Sequence, residues 1–335
     1  MFRLTSVIVA ALAALSISLD AQGDISIRLG AIVPKGSLWD ESLQYVRQEW
    51  HRISGGTVKV KIYSGGNLGD ETELVRKMRQ GTIGAAGLSS VGLSRIDNGV
   101  SCLQVPMMFR SYDELDYVRD RIAPKLEQRI EAKGFKVLNW ADGGWVHTFT
   151  TKPARTPDEV KRLKLFTSAG DPETERLYKD FGFHVVPLSM AEMVTSLQTG
   201  AIEAFSTVPL FAQLQESYKL APHMIDVLWM PLVGGTVISQ KVWEQIPAAY
   251  RAPMIEAARG AGTRLRGDIR AMGDVAVREM TTRGLKVVAV DEATRELWRS
   301  SAVRAYPQLR GSYCPADLFD EVVRLRDGFR RDHAR

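Results

Sequence analysis

The chain has 335 residues, of which 45% are hydrophobic and 25% are charged, and it is therefore long enough for two globular domains with cores of their own. Its net charge of +5 comes from scattered basic residues, without a run of Lys and Arg between aromatics, so nucleic acid is not the expected partner. The two cysteines, Cys102 and Cys314, cannot build a disulfide scaffold. They form one bridge or, as we favour, two separate buried thiols.

Residues 1–21 predict a secretory signal peptide. Arg3 precedes a short apolar run over residues 7–19, and Ala21 is a suitable cleavage position. The run is too short for a membrane-spanning helix, although an uncleaved anchor is the alternative. We therefore expect a periplasmic protein whose signal peptide is removed on export.

The first part of the mature chain alternates strand and helix signals. Residues 26–32 predict a strand, and the apolar side chains after them recur at spacings of four and three, which predicts a helix near Trp39. Alternation of apolar and Lys side chains predicts a second strand over residues 58–62. A helix over residues 70–80 and a buried strand over residues 82–90 follow. This order predicts an α/β protein.

The same alternation returns in the middle of the chain. Thr156, followed by Pro157, predicts a helix start, and a short strand is expected over residues 164–167. Ser189 and Glu192 have the spacing of a capping box, which predicts the start of a further helix.

A long helix is predicted near the end of the chain. Residues 254–284 contain no proline and carry a mostly helical apolar pattern. About 30 residues at 1.5 Å each span roughly 45 Å, which exceeds the width of one domain. We expect this helix to lie across both domains, either unbroken or kinked at one of its several glycines.

Motifs for catalysis are missing from the sequence. None of the five histidines stands at metal-ligand spacing from another His, Cys or acid, and no serine lies in a Gly-x-Ser-x-Gly elbow. The glycines of residues 65–69 lack the Lys-Ser/Thr ending of a phosphate loop and predict a turn. We therefore expect no cofactor, no metal and no enzyme activity.

Aromatic side chains recur at the ends of predicted strands and in the loops beside them. In open α/β sheets, ligands bind in a crevice at the carboxyl ends of strands, and such crevices use apolar walls with a few polar groups. Core packing is the alternative for each aromatic taken singly. As a set they predict a ligand cleft.

At this point a family resemblance is recognisable. The chain resembles the solute receptors of tripartite ATP-independent periplasmic (TRAP) transporters, most specifically in residues 65–83 (GGNLGDETELVRKMRQGTI) and 187–204 (PLSMAEMVTSLQTGAIEA). The resemblance implies an α/β fold like that of type II periplasmic binding proteins. Two discontinuous domains, each with a central sheet, would enclose a hinge cleft, with a long helix over both. We expect domain I to comprise residues 24–147 and 236–276, and domain II residues 148–235 and 277–335.

The chain departs from the family pattern at three anchoring positions. Phe166 and Val146 stand where the family commonly has arginines that hold a carboxylate, and Ser89 stands where an acidic or amide residue is common. A carboxylate buried without a cation costs several kcal/mol, so the cleft suits a hydrophobic or weakly polar ligand. Family receptors without the arginine include some that use a tetratricopeptide-repeat partner, and this chain resembles that branch.

The expected function is therefore delivery of a small ligand to the small and large membrane subunits of a TRAP transporter. Two alternatives stay open: a receptor for an organic acid held by another cation, Lys35 or Arg95, and an envelope enzyme or adaptor that reuses the fold. A one-residue slip of the strand would present Leu165 or Thr167 instead of Phe166. The residues expected to contact the ligand are Val33, Trp39, Ser89, Trp145, Val146, Phe166, Met190, Phe205, Thr207, Phe211 and Trp229.

Overall fold

The computed structural model describes residues 23–333, and its ten strands belong to one hydrogen-bonded sheet. The predicted signal peptide lies outside the described residues. In chain order the strands are β1 Ile25–Ala31, β2 Val58–Tyr63, β3 Ala85–Ser89, β4 Phe135–Thr150, β5 Lys164–Ser168, β6 His184–Leu188, β7 Ala204–Thr207, β8 His223–Ile225, β9 Met230–Ser239 and β10 Lys286–Val288. The mixed α/β class expected from the sequence is confirmed.

Helices separate most of these strands. They are α1 Leu38–Ile53, α2 Glu71–Arg79, α3 Ser90–Ile96, α4 Tyr112–Glu131, α5 Pro157–Lys161, α6 Pro172–Asp180, α7 Met193–Thr199, α8 Pro209–Leu214, α9 Gln240–Gln245, α10 Ala248–Thr282, α11 Glu292–Ser312 and α12 Ala316–Asp332. Short 3-10 helices cover Asn98–Gln104 and Ser217–Lys219. Within residues 23–333, no helix is both long enough and apolar enough to cross a membrane.

Two long strands link the two ends of the sheet. The strand order is β2-β1-β3-β9-β4-β7-β5-β6, with β8 against β4 and β10 against β8. β1 runs parallel to β2 and β3, and β5 runs parallel to β6 and β7. β4 pairs with β9 along its first part and with β7 and β8 along its last residues, 147–150. The two sheets implied by the family resemblance are therefore joined, because β4 belongs to both groups.

Close backbone contacts at this crossing require glycine in β9. A Cβ atom on Gly234 would lie 2.7 Å from the carbonyl oxygen of Leu88, and one on Gly235 would lie 2.6 Å from that of Asn139. Neither strand can move away without breaking its pairing, so a larger residue would separate β9 from its neighbours.

The predicted long helix is a single helix, α10. Its 35 residues correspond to about 52 Å at 1.5 Å per residue. It contacts both groups of strands and helices: the Trp50 indole of α1 donates to the Met254 carbonyl at 3.0 Å, and Gln213, next to the end of α8, donates to Glu279 at 2.6 Å. Gly262 lets the helix pack on β4, because a Cβ atom there would lie 2.5 Å from the Trp140 carbonyl oxygen.

Of the two local capping signals, one placed a helix start and the other did not. Thr156 and Glu159 form a reciprocal capping box at the start of α5. Ser189 does hydrogen-bond to Glu192, but α7 begins only at Met193, and this pair therefore closes the turn before the helix rather than capping it. Both thiols are buried and unbridged, and burial raises the pKa of Cys102 well above its ordinary value.

Candidate functional site

A cavity of about 310 Å³ lies where the parallel strands end. Its wall includes the last residues of β1, β3, β5 and β7 and the loops that follow them, together with the crossing strands β4 and β9. This is the edge at which open α/β sheets bind ligands. Sites for small molecules have volumes of about 300–1,000 Å³, so the cavity suits a small molecule.

Nine of the eleven residues expected at the ligand lie together in the wall of this cavity. Most are apolar, and Phe205 also stacks on Phe149 of the core, with ring centroids 5.1 Å apart. The nine are Val33, Trp39, Ser89, Val146, Phe166, Met190, Phe205, Thr207 and Phe211. Their convergence from separate strands and helices and the loops beside them places the predicted cleft in one region of the molecule.

Trp145 and Trp229 lie in the core instead of the cavity wall, which corrects the expectation for both. Trp145 is 7% exposed and packs against Tyr112, with ring centroids 5.4 Å apart. Trp229 is 3% exposed and its indole N–H donates to the Tyr178 hydroxyl at 3.0 Å. Trp145 lies in β4 and Trp229 directly precedes β9, and in both cases the next residue, Val146 or Met230, lines the cavity.

The cavity wall contains no cationic side chain. Of the residues that line it, all within the part of the chain that the structure describes, three carry a carboxyl group and none is Lys, Arg or His. The three acids are Glu71, Asp142 and Asp171. Sequence reasoning missed all three, because an acid in a first helical turn or a strand gives no sign that it borders a cavity.

Glu71 is buried and already fully hydrogen-bonded. Its carboxylate accepts from the Ser89 backbone N–H at 2.7 Å, from the Ser89 hydroxyl at 2.6 Å and from the Gly92 N–H at 2.8 Å. Burial raises the pKa of Glu71, and these donors oppose the rise. The Ser89 hydroxyl, expected to contact the ligand, therefore has a partner within the protein.

Asp142 and Asp171 also have partners within the protein. Asp142 pairs with Arg119 at 3.3 Å and accepts from the Arg270 Nε at 3.0 Å, while burial raises its pKa against the pull of both arginines. Asp171 accepts from the Thr174 N–H at 3.2 Å, which caps α6. Burial raises the pKa of Asp171 as well.

The two cations considered as substitutes for the family arginine lie outside the cavity wall. Lys35 is exposed to solvent. Arg95 of α3 pairs with Glu173 of α6, Nη1 to Oε1 at 2.9 Å, and donates to the Gly170 carbonyl at 3.3 Å. Arg95 therefore connects two helices that border the cavity, and its Nη1 and Nη2 are already bonded within the protein, while its buried Nε makes no hydrogen bond.

Three polar atoms in the wall lack a partner. Within residues 23–333, five buried side-chain nitrogen or oxygen atoms make no hydrogen bond. Three of them belong to cavity residues: the Ser90 hydroxyl, the Thr167 hydroxyl and the Gln215 side-chain carbonyl oxygen. Residues 23–333 hold no group of three or more His, Cys, Asp or Glu that could bind a metal ion.

Comparisons with known proteins identify similar chains. A family model described as bacterial extracellular solute-binding protein, family 7 (DctP), matches residues 29–310. The 2,3-diketo-L-gulonate-binding periplasmic protein YiaO of Escherichia coli K12 is 25% identical over 268 residues, covering 76% of this chain and 79% of its own. A solute-binding protein of Verminephrobacter eiseniae is 26% identical over 277 residues, covering 80% of each chain.

Solved structures show the same fold. A TRAP periplasmic solute-binding protein of Ralstonia eutropha with bound (S)-2-acetolactate matches with a TM-score of 0.84 at 19% identity, over 91% of this chain and 99% of that one. One from a Sulfitobacter species with bound β-D-galacturonate matches with a TM-score of 0.82 at 17% identity, over 90% and 99%. At this identity the likeness concerns the fold alone.

Proposed function

Because the chain belongs to the DctP family of bacterial extracellular solute-binding proteins, family 7, we propose that it captures an uncharged small molecule with a largely apolar surface. Members of this family are periplasmic receptors that bind small ligands and work with the membrane components of TRAP transporters. The uncharged, largely apolar ligand is the specific part of the proposal.

One observation carries this proposal: the cavity wall has three carboxyl groups and no Lys, Arg or His among the described residues. A carboxylate moved into such a cavity loses its hydration without gaining a cationic partner, which costs several kcal/mol. An uncharged molecule avoids this cost, and Phe166, Phe205 and Phe211 offer it apolar contact.

The second candidate is an organic acid anchored by an unusual cation. It is favoured by the similar structures, whose bound molecules are acetolactate and galacturonate. It requires Arg95 to leave Glu173, or Lys35 to leave solvent, and to enter the cavity. Both moves are costly for a guanidinium or ammonium group that is already paired or hydrated.

Two further expectations belong to the proposal. We expect no turnover of substrate by the purified protein, since the family transports its ligands, and activity abolished by one substitution would favour the enzyme or adaptor alternative. The tetratricopeptide-repeat partner stays a prediction, which co-purification of such a protein from the host's periplasm would test.

A thermal-shift experiment with fractionated metabolites tests the ligand class. A bacterial extract is split on an anion exchanger into an uncharged flow-through and a retained acid fraction, and each is added to the dialysed protein. We expect the uncharged fraction to raise the melting temperature and the acid fraction to leave it unchanged. The Sulfitobacter receptor with bound galacturonate is the positive control for the acid fraction. Stabilisation by the acid fraction alone would overturn the proposal.

A further inference from the structure

Polar atoms without partners are rare inside proteins, and here three of the residues that carry one line a single cavity. Ser90 and Thr167 are 2% and 3% exposed, and neither hydroxyl makes a hydrogen bond. The Gln215 carbonyl oxygen is equally shielded, with no donor near it. A buried polar atom without a partner destabilises the fold, so each such atom requires an explanation.

The three atoms come from three separate elements. Ser90 begins α3, Thr167 lies near the end of β5, and Gln215 directly follows α8. All three residues line the same cavity. The carboxylates of that wall are bonded within the protein, whereas these three residues each carry a buried side-chain oxygen that makes no hydrogen bond.

We infer that Ser90, Thr167 and Gln215 form the polar anchor of the cavity. An amide oxygen only accepts hydrogen bonds, so Gln215 requires a ligand with an N–H or O–H group. The hydroxyls of Ser90 and Thr167 either donate or accept. The ligand is therefore an uncharged molecule with at least one donor, such as an alcohol, a phenol or a carboxamide. This inference rests on the proposed function and narrows its ligand class.

The apolar side chains of the cavity wall also restrict which ligands can bind. Met190 and Val146 offer no hydrogen bond, so they accept the apolar body of the ligand and reject a molecule that is polar all round. A hydrocarbon without a donor would leave the three atoms of the anchor unpaired and would bind more weakly for that reason.

The test uses Ser90→Ala, Thr167→Val and Gln215→Leu in the full chain, each with two measurements. Without ligand, Ser90→Ala and Thr167→Val should be as stable as the wild type or more stable, because they remove a polar atom that has no partner. Titrated with the uncharged metabolite fraction, each variant should need about tenfold more of that fraction for half of the wild-type thermal shift.

Thr150→Val is the matched control. Thr150 is fully buried outside the cavity wall, and its hydroxyl donates to the Lys152 carbonyl at 2.6 Å. This variant should lose stability and keep the wild-type response to the uncharged fraction. If Ser90→Ala and Thr167→Val lose as much stability as Thr150→Val, their hydroxyls have partners and the inference is wrong.

The outcomes also separate this inference from the proposed function. If the uncharged fraction stabilises the wild type and all three variants equally, the anchor is wrong and the uncharged ligand stands. If the acid fraction stabilises the wild type and the variants weaken that effect, the anchor residues stand and the uncharged ligand is wrong.

Discussion

The substitution Phe166→Arg restores a cation to the cavity wall and should reverse the ligand preference. Phe166 is half-buried near the end of β5, lines the cavity and packs against the cluster around Phe149 and Phe205. An arginine at this position can extend along the wall and present its guanidinium group to a bound molecule.

The expected magnitudes follow from the apolar burial that the substitution removes and the charged hydrogen bonds that it adds. Burial of a whole aromatic side chain contributes about 1.5–3 kcal/mol, so affinity for the uncharged ligand should fall about tenfold or more. Hydrogen bonds to a charged group contribute about 1.5–3 kcal/mol, which raises affinity for an organic acid. Asp171 lines the same cavity and competes for the new cation, so about tenfold is the expected gain for the acid.

Calorimetric titration measures both effects. Wild type, Phe166→Arg and the apolar control Phe166→Met are titrated with D-galacturonate and with the uncharged metabolite fraction. Only Phe166→Arg should gain heat of binding with galacturonate, and Phe166→Met should retain the wild-type preference. If Phe166→Arg binds the uncharged fraction as tightly as the wild type, Phe166 does not contact the ligand and the account of the cavity is wrong.

Three further predictions concern the surroundings of the cavity. Arg95→Met should weaken the contact between α3 and α6 by about 1 kcal/mol. The expected signs are a larger radius of gyration in X-ray scattering and about fivefold faster ligand release. The control Arg52→Met, which breaks an ion pair within α1, should change neither quantity. Because burial raises the pKa of Glu71 in the folded state, its protonation contributes stability that is complete below pH 4.5 and is lost as the pH rises through the folded-state pKa. In urea unfolding from pH 4.5 to 7.5, the wild type should therefore lose stability relative to Glu71→Gln. A stability difference that stays constant with pH would contradict this. Trp229→Phe should cost about 1–3 kcal/mol in the same assay and leave ligand affinity within about twofold, since Trp229 is a core residue.

Features that depend on local pattern were predictable from the sequence. The absence of proline after Met254 and the apolar period indicated α10, and the Thr156 box placed the start of α5. The predicted strand ends lay close enough to the observed ones that the side chains chosen from them, such as Phe166 and Thr207, converge on one cavity. Each of these signals is contained within a few neighbouring residues.

Which side of the sheet the side chains of Trp145 and Trp229 face depends on strand pairing, which no local sequence pattern shows. β4 and β9 change register between Asp142 and Gly144, and such an irregularity changes which side chains face the cavity. A strand-end aromatic therefore cannot be assigned to core or cleft until this register is known.

The polar character of the wall depends on contacts between distant segments. Asp142 finds its partners 23 and 128 residues away, in Arg119 and Arg270. Ser90 and Thr167 are ordinary residues in the sequence, and what distinguishes them is that neither meets a partner in the folded chain. Only the assembled structure separates polar groups that have partners from those that lack them.

Identification of the molecule that stays bound to the protein purified from its host's periplasm tests the central claim most directly. Native mass spectrometry gives the mass of the bound molecule, and fragmentation after its release gives the functional groups. The account predicts a small molecule with at least one N–H or O–H donor and no carboxylate, phosphate or sulfonate group. A bound organic acid would contradict it.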